Sequence, residues 1–112
     1  MNLPQRESIS LITYRNDKEI IAEVIRQLEK DIVLSGGDLE VPSICFDDIL
    51  VLKKKVADYL IVVSKSTPAL LFNLFYRVDI PQEMIEQEPS EMAELLLKRE
   101  LLKVITRRLY RK

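Results

Sequence analysis

The side-chain types that most often perform chemistry in small domains are nearly missing from this sequence. None of the 112 residues is histidine, and Cys45 is the single cysteine. Catalytic arrangements that pair serine, cysteine or aspartate with histidine are therefore impossible. Structural zinc sites are built mainly from cysteine and histidine, so the usual zinc motifs are excluded as well.

Cys45 lies between Ile44 and Phe46 and is followed by Asp47 and Asp48. A reactive thiol needs an electropositive, partly exposed setting. Apolar neighbours and two aspartates give the opposite setting and disfavour the thiolate. We therefore interpret Cys45 as a buried structural residue.

Acidic side chains are the remaining candidates for a reactive site. They form the pairs Glu19 with Glu23, Asp47 with Asp48, Glu83 with Glu86, and Glu91 with Glu94. A spacing of three or four residues puts two carboxylates on one helix face, where they suit magnesium or calcium. Most of these acids fall in the first turns of predicted helices, where negative charge stabilises the helix dipole. We therefore predict no metal site, no cofactor site and no catalytic residue.

Basic residues are concentrated at the end of the sequence. From Lys103 onward there are five basic residues and no acidic ones. Phosphate backbones attract such clusters, and contact with nucleic acid would use Arg107, Arg108, Arg111 and Lys112. However, the net charge of −1 opposes nucleic-acid binding, and cations at a helix C-terminus also complement its dipole. Accessory nucleic-acid binding is therefore the alternative functional hypothesis.

Composition indicates one autonomous domain over residues 1–112. Apolar residues make up 47% of the sequence and charged residues 31%, which is enough for a core without disulfides. The longest apolar stretch, residues 56–78, is interrupted by Asp58, Lys65 and Pro68, so we do not expect a membrane span. The sequence opens without a signal segment and has one cysteine, and we therefore predict a cytoplasmic protein.

Helical periodicity and capping residues account for most of the sequence. We predict helices over residues 17–35, 47–64, 67–78 and 90–110, with a short acidic turn of helix after Asp79. Asp17 is expected to cap the first helix and Gly36 to end it. Thr67 followed by Pro68 is typical of a helix start.

Two other stretches, residues 8–14 and 39–46, contain residues that favour strands. They either pair as a small two-stranded ribbon or form a weak helix and an extended connection. We predict an all-α compact bundle of four to five helices because the well-marked helices cover more than half of the sequence. An α+β fold containing the ribbon is the alternative.

The last predicted helix is apolar on two sides. One stripe consists of Leu95, Leu102, Ile105 and Leu109, and a second, about 130° away, consists of Ala93, Leu97, Leu101 and Val104. One stripe is expected to pack on a core around Phe72 and Phe75. The other must meet another helix of the chain or a second molecule, because monomers rarely expose large apolar patches.

These two stripes lead to the functional hypothesis. We predict a non-catalytic helical interaction protein that forms a two-fold homodimer or binds a helical protein partner. The residues predicted to bind the partner are Leu97, Leu101, Val104, Leu50 and Ile61.

Overall fold

A computed structural model describes residues 10–39, 41, 47–86 and 88–110. In this part of the chain the α-helices are α1 (Lys18–Leu34), α2 (Ile49–Ser66), α3 (Pro68–Arg77) and α4 (Pro89–Tyr110). Two short 3₁₀ helices cover Ile12–Tyr14 and Gln82–Glu86. The prediction of an all-α bundle is confirmed, with every main helix close to its expected range. No described helix is long and apolar enough to cross a lipid bilayer.

The α+β alternative is wrong for the residues that can be compared. Residues 10–14 form a turn and a 3₁₀ helix, and the described part of the chain contains no strand. Residues 8, 9, 40 and 42–46 of the expected ribbon, including Cys45, lie outside the described residues.

The helix ends follow local rules that the sequence displays. A carboxylate oxygen of Asp17 accepts a hydrogen bond from a first-turn amide of α1 at 3.1 Å, and Asp48 caps α2 in the same way at 2.9 Å. Gly36 takes φ +104° just after α1, as glycine readily does at a helix end. Pro68 opens α3, whereas the Thr67 side chain makes no capping bond.

The core of the bundle lies along one side of α4, which packs against both α1 and α2, while α3 packs against α2. The buried residues that α4 contributes are Met92, Ala93, Leu96, Leu97, Glu100, Leu101 and Val104. They lie within a single side of the helix. This inward-facing set is entirely apolar except for Glu100.

The structure corrects the expected roles of Leu97, Leu101 and Val104. All three are fully buried in the core of their own chain. A side chain without exposed surface cannot contact a partner of the folded molecule, so these three residues do not form a binding face. The other stripe of α4, comprising Leu95, Leu102, Ile105 and Leu109, is half-buried.

The expected core around two phenylalanines is also only partly right. Phe75 is fully buried, but Phe72 lies on the outer face of α3 with much of its ring exposed. The other two residues predicted to bind a partner remain accessible on α2, because Leu50 is half-buried and Ile61 is exposed.

Candidate functional site

A row of polar side chains lines the contact between α1 and α4. On α1, Glu23, Gln27 and Asp31 follow one another at intervals of four residues and therefore share a face. The contacting residues of α4 are Glu100, Lys103, Arg107 and Arg108. From the start of α1 toward its end, the contacting residues of α4 decrease in number, from Arg108 at Glu23 to Lys103 at Asp31. The two helices are therefore antiparallel. We call these seven residues the polar seam.

Arginines occupy the end of the polar seam nearer the start of α1. Arg108 Nε donates a hydrogen bond to Glu23 Oε2 at 2.8 Å, and Glu19 lies 3.9 Å from the same guanidinium group. Arg107 donates to the side-chain oxygen of Gln27. These bonds fasten the last turns of α4 to the first half of α1.

Asp31 forms the centre of the buried end. Its carboxylate accepts hydrogen bonds from Lys103 Nζ at 2.8 Å, Arg77 Nε at 3.0 Å and Gln27 Nε2 at 3.2 Å. Burial alone would raise the pKa of Asp31, but hydrogen bonds with Glu100, Lys103 and Gln27 outweigh it and bring the pKa well below 3.8. Asp31 is therefore ionised at neutral pH and connects α1 to both α3 and α4.

Glu100 is the second acid of this buried end and is completely enclosed. Neither of its oxygens has a hydrogen-bond partner as a carboxylate within the described residues, and Lys103 Nζ lies 3.5 Å from Oε1. Burial raises the pKa of Glu100 to about 8, and the neighbouring Asp31 carboxylate reinforces the shift by accepting a hydrogen bond from the protonated acid. Glu100 is therefore mostly protonated at neutral pH.

A carboxylic acid beside a carboxylate is an arrangement that many hydrolytic enzymes use. A catalytic acid must come within hydrogen-bond reach of its substrate. Asp31 and Glu100 are almost without exposed surface, so a substrate has no contact with them in the folded molecule. Their arrangement is suited to holding three helices together and to binding one proton.

A second notable feature is an open depression of about 760 Å³ between α1 and α3. Its wall includes Leu34 at the end of α1, Asn73, Tyr76 and Arg77 on α3, and Asp79 and Pro81 just after α3. Tyr76 is 79% exposed and Leu34 is 55% exposed. Phe72 lies one helical turn before Tyr76 on the outer face of α3. We call Leu34, Phe72, Tyr76, Arg77, Asp79 and Pro81 the α1–α3 surface.

The basic residues predicted to contact nucleic acid are only partly described. Arg107 and Arg108 point to acceptors on α1, as the polar seam shows, while Arg111 and Lys112 lie outside the described residues. The engagement of Arg108 with Glu23 lowers the charge that it offers to a phosphate. Nucleic-acid binding therefore stays a prediction.

Some members of the acidic pairs are bonded to basic residues. Glu94 binds Lys53 at 3.2 Å, which connects α4 to α2, and Asp48 binds Arg15 at 3.2 Å. Within the described residues, no three acidic or cysteine side chains are grouped closely enough to hold a metal ion.

Sequence reasoning missed Asp31 and Glu100, although a signal was present. Glu100 falls within the apolar face of α4, between Leu96 and Val104, and Asp31 falls at the edge of the apolar stripe of α1, beside Leu28. Ionisable residues are rarely enclosed unless they are paired, so a charged residue within an apolar stripe predicts a buried partner. No protein-family model, curated protein or solved structure matches the chain.

Proposed function

We propose that this chain is a non-catalytic interaction protein that self-associates as a two-fold dimer through the α1–α3 surface. The observation that carries the proposal is the exposure of Tyr76 beside Leu34 at the edge of a depression. Exposed aromatic side chains next to other apolar groups are typical of protein interfaces. We place this assembly in the cytoplasm, as the cysteine content suggests.

A second copy of the chain is the partner that this surface fits best. The depression has a guanidinium group, Arg77, and a carboxylate, Asp79, on its wall. Both charges are balanced within the chain, because Arg77 binds Asp31 at 3.0 Å and Asp79 binds Arg99 at 3.3 Å. In a two-fold dimer the same patch faces itself, and these two side chains would therefore meet their copies without strong repulsion. Tyr76 of each copy would then enter the depression of the other, which is large enough for an aromatic ring.

Sedimentation equilibrium of the full chain tests this proposal. The wild-type protein should show twice the chain mass of 13.1 kDa at micromolar concentration. Replacing Tyr76 by glutamate should return the mass to 13.1 kDa, because the dimer would have to bury a charge. Tyr110→Glu is the matched control, since Tyr110 is 64% exposed at the end of α4 and does not line the depression.

Two results would reject the proposal. A wild-type mass of 13.1 kDa throughout the concentration range would exclude self-association. Loss of the dimer in both glutamate variants would show that the α1–α3 surface is not the specific contact. Circular dichroism of each variant establishes that its helices are intact.

A further inference from the structure

Three cationic side chains surround a smaller depression beside the first half of α1. Its volume is about 390 Å³, and it is lined by Arg26, Gln27 and Lys30 of α1, Arg107 of α4, and Glu23. Arg26, Lys30 and Arg107 are all exposed. We call this feature the basic depression.

Positive charge exceeds negative charge among the described residues of the basic depression. Among the described residues, Arg26 and Lys30 form no ion pair, and Arg107 binds the neutral amide of Gln27 rather than a carboxylate. Glu23 is the acidic residue of the wall, and it already binds Arg108 at 2.8 Å. An excess of positive charge is therefore concentrated at one place in a chain whose net charge is −1.

A buried side chain holds one of these cations in position. Gln27 is only 9% exposed and is bonded at both ends of its amide, to Arg107 through its oxygen and to Asp31 through its nitrogen at 3.2 Å. Asp31 is fixed in turn by residues of α3 and α4. The Arg107 guanidinium therefore sits over the basic depression at little cost in lost side-chain freedom, which favours ligand binding.

We propose that the basic depression binds the phosphate group of a small anionic ligand. Guanidinium groups form paired hydrogen bonds with phosphate oxygens, and an ammonium group adds a compact point charge. The volume falls within the range of about 300–1,000 Å³ that is common for small-molecule sites. This site shares no lining residue with the depression between α1 and α3. The phosphate proposal and the dimer proposal are therefore independent, and each can fail without the other.

Isothermal titration calorimetry with inorganic pyrophosphate tests the site in the full chain. Wild-type protein should bind one pyrophosphate per chain with a saturable isotherm at moderate ionic strength. The double variant Arg26→Gln, Lys30→Gln should bind about ten-fold more weakly or worse, since it removes two charged contacts. It should also fold normally, because neither side chain is bonded to a described residue.

The matched control is Lys54→Gln, Lys65→Gln, which changes the net charge equally at two exposed positions of α2. It should leave the pyrophosphate affinity nearly unchanged. Backbone amide shifts measured by NMR during the titration should be largest for residues 23–30.

Absence of saturable binding to the wild-type chain would overturn the proposal. Equal weakening in both double variants would also overturn it, because it would reveal general charge attraction. The same conclusion would follow if a single-stranded oligonucleotide bound while pyrophosphate did not, since an extended polyanion surface would then replace the small-ligand site.

Discussion

At the scale of single residues, Asp31 and Glu100 show how one cluster of side chains holds two carboxyl groups in opposite protonation states. Asp31 accepts hydrogen bonds from three side chains and remains charged, whereas Glu100, as a carboxylate, accepts none from the described residues and is mostly protonated at neutral pH. The two states depend on each other, because the proton on Glu100 forms a hydrogen bond to Asp31.

This arrangement predicts that the free energy of unfolding falls as the pH rises through the neutral range. Folding raises the pKa of Glu100 from 4.5 to about 8, so its contribution is fully present below pH 4.5 and is lost as the pH rises toward 8. Each unit of pKa difference corresponds to about 1.4 kcal/mol. In Glu100→Gln, urea unfolding followed by circular dichroism should show a flatter pH profile than in the wild type.

Glu91→Gln is the control for that experiment, because Glu91 is an exposed acid in the first turn of the same helix. Its profile should follow the wild type. A wild-type profile that is flat between pH 5 and 8 would contradict the protonation state assigned to Glu100.

Asp31→Asn should be among the most destabilising polar substitutions in the chain. The substitution removes the carboxylate charge that pairs with both Lys103 and Arg77. It also removes the strong acceptor for the hydrogen bond from protonated Glu100. Breaking a buried ion pair typically costs about 3–5 kcal/mol, so we expect a loss near that range in urea unfolding at pH 6. Asp58→Asn, at an exposed position on α2, should change the stability by less than about 0.5 kcal/mol.

The pH dependence of Asp31 has the opposite sign from that of Glu100. Its pKa is lowered on folding, so its contribution is present above its ordinary value of 3.8 and is lost as the pH falls below that value. Acid unfolding of Asp31→Asn should therefore begin from a lower stability but show less further loss below pH 4. If Asp31→Asn and the wild type lost the same amount of stability below pH 4, Asp31 would not be ionised in the folded chain.

At the scale of helices, the ends were predictable because capping depends on a few neighbouring residues. Asp17 caps the start of α1 and Gly36 follows its end, as the sequence indicated. The faces of α4 were less predictable, since both of its stripes are apolar and periodicity alone does not say which one turns inward. Packing against α1 and α2 decides that question, and it buries Leu97 and Leu101.

Capping also gives a paired test at this scale. Asp17→Ala removes the side-chain acceptor of the α1 start and should cost about 1 kcal/mol in urea unfolding. Thr67→Ala is the matched control, because Thr67 precedes α3 without making a capping bond, and it should cost clearly less. Equal losses in the two variants would show that the Asp17 bond does not stabilise α1.

At the scale of the whole molecule, composition and periodicity were enough to predict an all-α bundle. The contacts that form the candidate sites could not be predicted, because they depend on how distant helices align. The pairing of Asp31 with Glu100 requires the register of α1 against α4, and the α1–α3 surface requires the end of α1 to meet Tyr76. No local rule connects residues so far apart in sequence.

The polar seam also bears on the order of events in folding. Its bonds join residues 72, 80 and 85 positions apart, whereas α2 and α3 are consecutive and meet without closing a long loop. Closing a long loop costs chain entropy before its contacts repay it, so we expect α1 to dock on α4 late. We therefore expect Asp31 and Glu100 to meet, and the proton to be taken up, after the main folding barrier. A change in pH should accordingly act on the rate of unfolding and leave the rate of folding nearly constant.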